Sequence, residues 1–141
     1  MIIVGICGAS GSGKSTLAKR IKDSLACSCT IIGQDCYYRN FPDLPFAERI
    51  KLNYDEPEIF DFDELLRDIE LLESGRPITA KGYDYVNYLR ADTPDVLIPP
   101  PEVLVLEGIH MFYDKRLCER MSLKVYLHVD VDICLLRRIK R

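Results

Sequence analysis

One octapeptide constrains this chain more than any other stretch: Gly8-Ala9-Ser10-Gly11-Ser12-Gly13-Lys14-Ser15. Its glycines are poorly suited to the interior of a helix or strand, and a lysine and a hydroxyl residue follow at once. Met1 to Cys7, just before it, is an apolar run of strand length. Leu17, Ala18, Ile21 and Leu25, just after it, recur at helical spacing. The octapeptide is therefore predicted to be the turn from a buried strand into a helix. In that context the pattern G-x-x-x-x-G-K-[ST] is a phosphate-binding P-loop. Gly8, Gly11 and Gly13 let backbone N–H groups approach phosphate oxygens. The helix opening near Gly13 turns its positive dipole end toward the same anion. Lys14 supplies a mobile charge for the β- and γ-phosphates, and the Ser15 hydroxyl is a Mg²⁺ ligand. Residues Gly8 through Ser15, with Thr16 next in line, form the predicted phosphate-binding set. At average composition the four fixed positions match by chance on the order of 1 time in 200. A nucleoside triphosphate with Mg²⁺ is the expected ligand.

The rest of the chain alternates strand and helix signals. Strand 1 is expected at Ile2 to Cys7, helix 1 at Gly13 to Ala26, and strand 2 at Cys29 to Gly33. Phe46 to Asn53 reads as a short helix. Asp61 is an expected N-cap, with Glu64 three residues on in a capping-box arrangement. Leu65, Leu66, Ile69 and Leu72 then form one apolar helix face, which Gly75 and Pro77 end. Ile78 to Arg90 and Val96 to Ile98 suggest a β-ribbon projecting from the main sheet, with a gap at Pro94. Val103 to Leu106 has the continuous apolar character of a central parallel strand. A short helix at Asp114 to Met121, a strand at Leu123 to Val129 and a helix from Asp130 onward complete the pattern. The expected class is α/β, a three-layer P-loop fold with four parallel core strands, in one domain over residues 1–141.

Charge and composition narrow the partners. The formal net charge is −3, which offers no basic face, so a nucleic acid polymer is not an expected partner. No apolar run approaches the length of a membrane span. The N-terminus leads straight into a strand without a signal-peptide pattern, so a cytoplasmic location is expected. Six cysteines, Cys7, Cys27, Cys29, Cys36, Cys118 and Cys134, lack the paired spacing of a zinc site. They are expected to be free thiols.

Two carboxylates stand where parallel sheets place their chemistry, at strand ends. Glu107 ends the Val103–Leu106 run and is the expected second half of the magnesium site beside Ser15. Asp35 follows strand 2 and is the candidate general base, able to orient an acceptor hydroxyl and take its proton.

Several further segments resemble the uridine kinase (uridine–cytidine kinase) family. Gln34-Asp35-Cys36-Tyr37-Tyr38 is similar to that family's Q-D-S-[FY]-Y segment, and Asn53 to Asp61 to its N-[FY]-D-x-P-x-A-[FW]-D segment. Gly82-Tyr83-Asp84-Tyr85 resembles Y-D-[FY], and Glu107-Gly108-Ile109 matches E-G-I. Asp130-Val131-Asp132 with Arg137 to Arg141 is similar to the start of the lid, R-R-I-x-R-D. These segments keep the family's order along the whole chain. The resemblance implies ATP-dependent phosphorylation of the 5′-hydroxyl of uridine or cytidine. It implies Asp35 as the base and Asp55 as acceptor for the ribose hydroxyls. Tyr54 and Tyr85 are implied to pack on the nucleobase, Tyr83 to bond or stack with it, and Tyr38 to close the pocket. Arg137 is implied to meet the transferring phosphates alongside Lys14. ATP or GTP as donor and a tetrameric assembly belong to the same set of implications.

Two departures carry expectations of their own. Tyr88 stands where the family often has histidine, so Tyr88 is expected to shift selectivity between uridine and cytidine. The family continues past position 141 through more of the lid and a fifth core strand. The 141-residue chain is therefore expected to be weakly active or inactive alone, with Leu123 to Val129 as an open sheet edge. Two alternatives stay open: a related P-loop kinase for another small hydroxyl compound, of phosphoribulokinase or pantothenate kinase type, and a nucleotide-binding module without catalysis. A signalling GTPase is disfavoured because no N-K-x-D segment is present.

Overall fold

β-Branched and leucine side chains dominate the predicted core strands. The structure, a computed structural model in which residues 1–140 are described, pairs them in one parallel sheet. Its strands are β1 (Ile2–Gly8), β2 (Cys29–Gly33), β7 (Val103–Gly108) and β8 (Leu123–Leu127), in the order β2-β7-β1-β8. β1 pairs with β7 from Ile2↔Val103 to Cys7↔Gly108, and β2 pairs with β7 from Cys29↔Val103 to Gly33↔Glu107. β1 also pairs with β8, ending at Gly8↔Leu127. The parallel register brings the carboxyl ends of all four strands to one edge of the sheet. That edge is where such sheets bind ligands. Strand β8 stops at Leu127 rather than Val129, because its partner β1 turns into the glycine loop after Gly8. Among the described residues β8 stands last in the sheet order.

The chain forms two compact units: Met1–Gln34 with Pro101–Arg141, and Asp35–Pro100. In the first, Val4, Ile6, Val103 and Val105 pack with Ala18 of helix α1 (Lys14–Ser24). Leu104 and Leu106 alternate with those valines along β7 and are fully buried as well. Burial on both faces explains the unbroken apolar run of this strand. Helices α4 (Lys115–Arg120) and α5 (Val131–Ile139) complete the unit.

The second unit is built on helix α3 (Phe62–Glu73), whose Leu65, Leu66, Ile69 and Leu72 are buried as the spacing predicts. Asp61 caps it, its side chain accepting from the Glu64 amide at 2.8 Å. The capping box does not close. The Asp61 amide donates to the Tyr37 carbonyl at 2.8 Å, and the Glu64 carboxylate turns to Lys81 and Arg90 instead. Helix α2 (Phe46–Arg49) is shorter than expected. Asn53 helps end that segment, its side chain accepting from the Asp55 amide and donating to Glu56. The expected ribbon is two antiparallel pairs: β3 (Ile78–Ala80) with β6 (Thr93–Ile98), and β4 (Tyr83–Asp84) with β5 (Leu89–Arg90). Pro94 lies within β6 rather than in a gap, which a two-stranded pair tolerates because one side of each strand needs no partner. Among the described residues no helix is long and apolar enough to cross a membrane.

Candidate active site

In the first unit the glycine loop joins β1 to α1, as its sequence requires. Gly11 and Gly13 have φ of +85° and +97°, a left-handed conformation that side chains resist. A Cβ at Gly11 would also lie 2.7 Å from the Cys134 carbonyl oxygen. The Lys14 ammonium is buried and bonds the Ala9 carbonyl at 3.0 Å, which folds it back along the loop. The Ser12 hydroxyl is buried with no hydrogen-bond partner. A donor in that condition suits a phosphate oxygen. The Arg137 guanidinium donates to the Gly11 carbonyl at 3.1 Å, so α5 reaches the same loop. A pocket of about 590 Å³ opens there, lined by Gly13 and Thr16 and by the cations Arg20, Arg137 and Lys140. Its charge suits a polyphosphate.

The Ser15 hydroxyl donates to Glu107 Oε1 at 2.8 Å. The two predicted magnesium ligands are thus brought together across 92 positions of sequence. Both offer hard oxygen, the donor type Mg²⁺ takes while keeping several waters. Among the described residues no group of three or more His, Cys, Asp or Glu side chains could hold a metal ion. Gln34 completes this sheet edge. It is 1% exposed, and its Oε1 accepts from the His110 amide at 2.9 Å, which fixes the loop after Glu107. A Cβ at Gly108 would collide with that oxygen, so the close approach needs glycine there.

In the second unit five tyrosines gather beside Asp35, which lies in a 3₁₀ turn, Gln34–Tyr37. Tyr38 is the hub. Its ring stacks on Phe60 at 4.6 Å and meets Tyr83 at 4.8 Å and Tyr54 edge-on at 5.2 Å. Tyr88 adds to Tyr54 at 5.3 Å, and Tyr85 to Tyr83 at 5.3 Å. The exposed Tyr85 donates its phenol proton to Asp35 Oδ2 at 3.0 Å. Burial pushes the Tyr38 phenol above its ordinary range, with the carboxylate charge of Asp35 adding to it. Burial and the neighbouring Tyr54 phenol do the same to Tyr83. The phenol oxygens of Tyr54 and Tyr83 are buried without a well-formed hydrogen bond. Asp84 sets the hairpin tip by accepting from the Val86 and Asn87 amides at 2.8 and 3.1 Å. Tyr88 follows with φ of +55°, the one non-glycine residue with positive φ among those described. Asp55 is exposed on the turn after Tyr54.

The structure thus gathers the predicted residues in two sets: Gly8 to Thr16 with Glu107 and Arg137 in one unit, and Asp35 with the tyrosines in the other. Sequence reasoning assigned no role to Gln34 or Arg90. Gln34 carried a signal, since it opens a recognised segment.

A glycine loop at the end of a parallel strand, with an acidic residue at the end of the adjacent strand bonded to the loop serine, defines the P-loop kinase class of fold. Within that class the chain belongs to the phosphoribulokinase/uridine kinase family, whose family model matches residues 3–141. It is 41% identical to the uridine kinase of Limosilactobacillus reuteri and 40% identical to that of Bacillus subtilis, over 99% of its own length in each case. It spans 64% and 66% of those two proteins. Among solved structures, a provisionally assigned fructose transport system kinase from Silicibacter superposes with a TM-score of 0.83 at 21% identity, covering 99% of this chain and 71% of that one. A provisionally assigned uridine kinase from Bacillus stearothermophilus superposes with 0.69 at 19% identity, covering 96% and 75%. At those identities the superpositions speak for the fold alone.

Proposed function

We propose that the protein transfers the γ-phosphoryl group of ATP, or GTP, to the 5′-hydroxyl of uridine or cytidine. The single observation that carries this is Asp35 held by the Tyr85 phenol at the rim of a tyrosine cluster, in a chain whose other unit holds a complete P-loop. The relatives named uridine kinase support the same reading. The tyrosine faces suit a planar base. The buried phenols of Tyr54 and Tyr83, which make no well-formed hydrogen bond, suit its polar edge, and Tyr88 stands in the same cluster. Asp55, an exposed carboxylate, would accept hydrogen bonds from the ribose diol.

On this reading Asp35 orients the 5′-hydroxyl and accepts its proton as the new O–P bond to the γ-phosphorus forms and the bond from that phosphorus to the β–γ bridging oxygen breaks, releasing the nucleoside diphosphate. Lys14, Ser12 and the loop amides hold the phosphates, and Arg137 neutralises charge that develops during transfer. Ser15 and Glu107 would hold Mg²⁺, directly or through water, which when bound neutralises the phosphate oxygens. The chain acts as one kinase domain in this account.

Incubation with ATP and Mg²⁺ against a panel of uridine, cytidine, a phosphorylated pentose and pantothenate tests the proposal, with products identified by ³¹P NMR. A new 5′-monophosphate signal with the pyrimidine nucleosides, accumulating slowly from this 141-residue chain, is the expected result. Phosphorylation of another acceptor, or nucleotide binding with no transfer, would replace it by one of the two alternatives.

A further inference from the structure

The geometry points to Arg90 as the positioning residue that sets the shape of the tyrosine cluster; this rests on the nucleoside reading above. Arg90 is not among the residues assigned to substrate. Its side chain is 9% exposed, and all five guanidinium N–H groups are engaged. Nε and Nη2 bind Asp92 at 3.0 and 2.8 Å. Nη1 and Nη2 bind Glu64 at 2.8 and 3.4 Å. The second proton of Nη1 goes to the Tyr38 carbonyl at 3.3 Å. The Arg90 amide donates to the Asn40 side chain at 3.2 Å, and the guanidinium lies 5.8 Å from the Tyr37 ring centroid.

Each partner lies on a different segment of the unit. Glu64 is on α3, and Tyr38 follows the turn that carries Asp35. Asp92 accepts from the Gly82 amide at 3.2 Å, next to Tyr83. Arg90 itself is on β5, two residues after Tyr88. One planar cation therefore ties the helix to the two segments that supply Tyr38 and Tyr83, whose rings are 4.8 Å apart. Burial alone would disfavour the charge on both Arg90 and Glu64. Their mutual hydrogen bonds reverse this, raising Arg90 and holding Glu64 below its usual range. The planar fork is what allows three acceptors to be held at fixed angles. A lysine ammonium presents the charge without the geometry.

The test is Arg90→Lys. Kinetics below the unfolding temperature should show the KM for nucleoside raised about 10- to 100-fold, as for a displaced positioning group, with the KM for ATP within about 2-fold. A variant that changes neither KM, or moves both equally, overturns the proposal. Amide hydrogen exchange on the same pair decides the matter even without activity. Arg39 and Asp61, whose amides anchor the Tyr37–Tyr38 segment, should exchange faster in Arg90→Lys, while Leu65 and Ile69 of α3 hold their rates. Unchanged exchange at Arg39 and Asp61 overturns it too. If the wild-type protein phosphorylates no nucleoside, the functional reading fails, and the exchange result alone judges Arg90.

Discussion

Ser15 and Glu107 meet at 2.8 Å, the second residue of α1 against the penultimate residue of β7. The parallel register of β1 and β7 makes this contact, since Ile6 pairs with Glu107 and the loop rises just beyond. On the proposed function these two oxygens would hold one Mg²⁺, directly or through water. Glu107→Gln should raise the Mg²⁺ concentration needed for half-maximal activity by about 10- to 100-fold, the range for loss of a residue that holds a metal through water or a hydrogen bond. Magnesium titration of the reaction rate reads this directly, and a shift under 2-fold would exclude Glu107 from the site.

Tyr85→Phe separates stacking from orientation. The ring stays and the hydrogen bond to Asp35 goes. A net hydrogen bond contributes about 0.5–1.5 kcal/mol, so kcat should fall about 2- to 10-fold with little change in nucleoside KM. Steady-state kinetics with varied nucleoside checks both parts.

The chain's local signals were legible in advance. The glycine loop, the Asp61 cap and the buried face of α3 are each set by residues within a few positions of one another. What escaped is long-range pairing. Glu64 sits at the capping-box position, yet its carboxylate is claimed by Lys81 and Arg90 from the ribbon. Two full charges outcompete one backbone amide. Arg90 and Gln34 act on partners 26 and 76 positions away, and spacing rules do not reach that far. Asp35 and Glu107 could be read as candidates because strand ends are predictable. The bond between Asp35 and Tyr85 could not, because it depends on how the hairpin folds.

Glu64 also gives the protein a defined acid response. Burial would raise its carboxyl, but hydrogen bonds from Arg90 and Lys81 hold it lower than usual. A depressed folded-state value means stability that is present above the ordinary glutamate range and lost as pH falls through the folded value. Glu64→Gln should therefore lower stability at neutral pH, a penalty that fades as pH falls below the ordinary glutamate range. Denaturant melts of both proteins across pH 3 to 7 measure the difference. A pH-independent gap would contradict the assignment.

Tyr88 holds a left-handed backbone conformation that costs a side-chain-bearing residue roughly 1–2 kcal/mol, and its ring lies 5.3 Å from Tyr54. Its place in the tyrosine cluster makes it a candidate reader of the base edge. Tyr88→His should change the ratio of kcat/KM for uridine to that for cytidine, by about 5-fold or more if one hydrogen bond to the base is exchanged. Competition kinetics with both nucleosides present gives the ratio, and an unchanged ratio would remove Tyr88 from selectivity.

The central claim is that Asp35 serves phosphoryl transfer to a pyrimidine nucleoside. Single-turnover transfer from radiolabelled ATP to uridine, with protein in excess and Mg²⁺ present, tests it most directly beside Asp35→Asn. The account predicts slow formation of labelled uridine 5′-monophosphate by the wild-type 141-residue chain, detectable with protein in excess, and a loss of about 10²- to 10⁴-fold in the variant, with ATP binding retained. No labelled monophosphate from the wild-type protein, or equal rates from the two proteins, would contradict it.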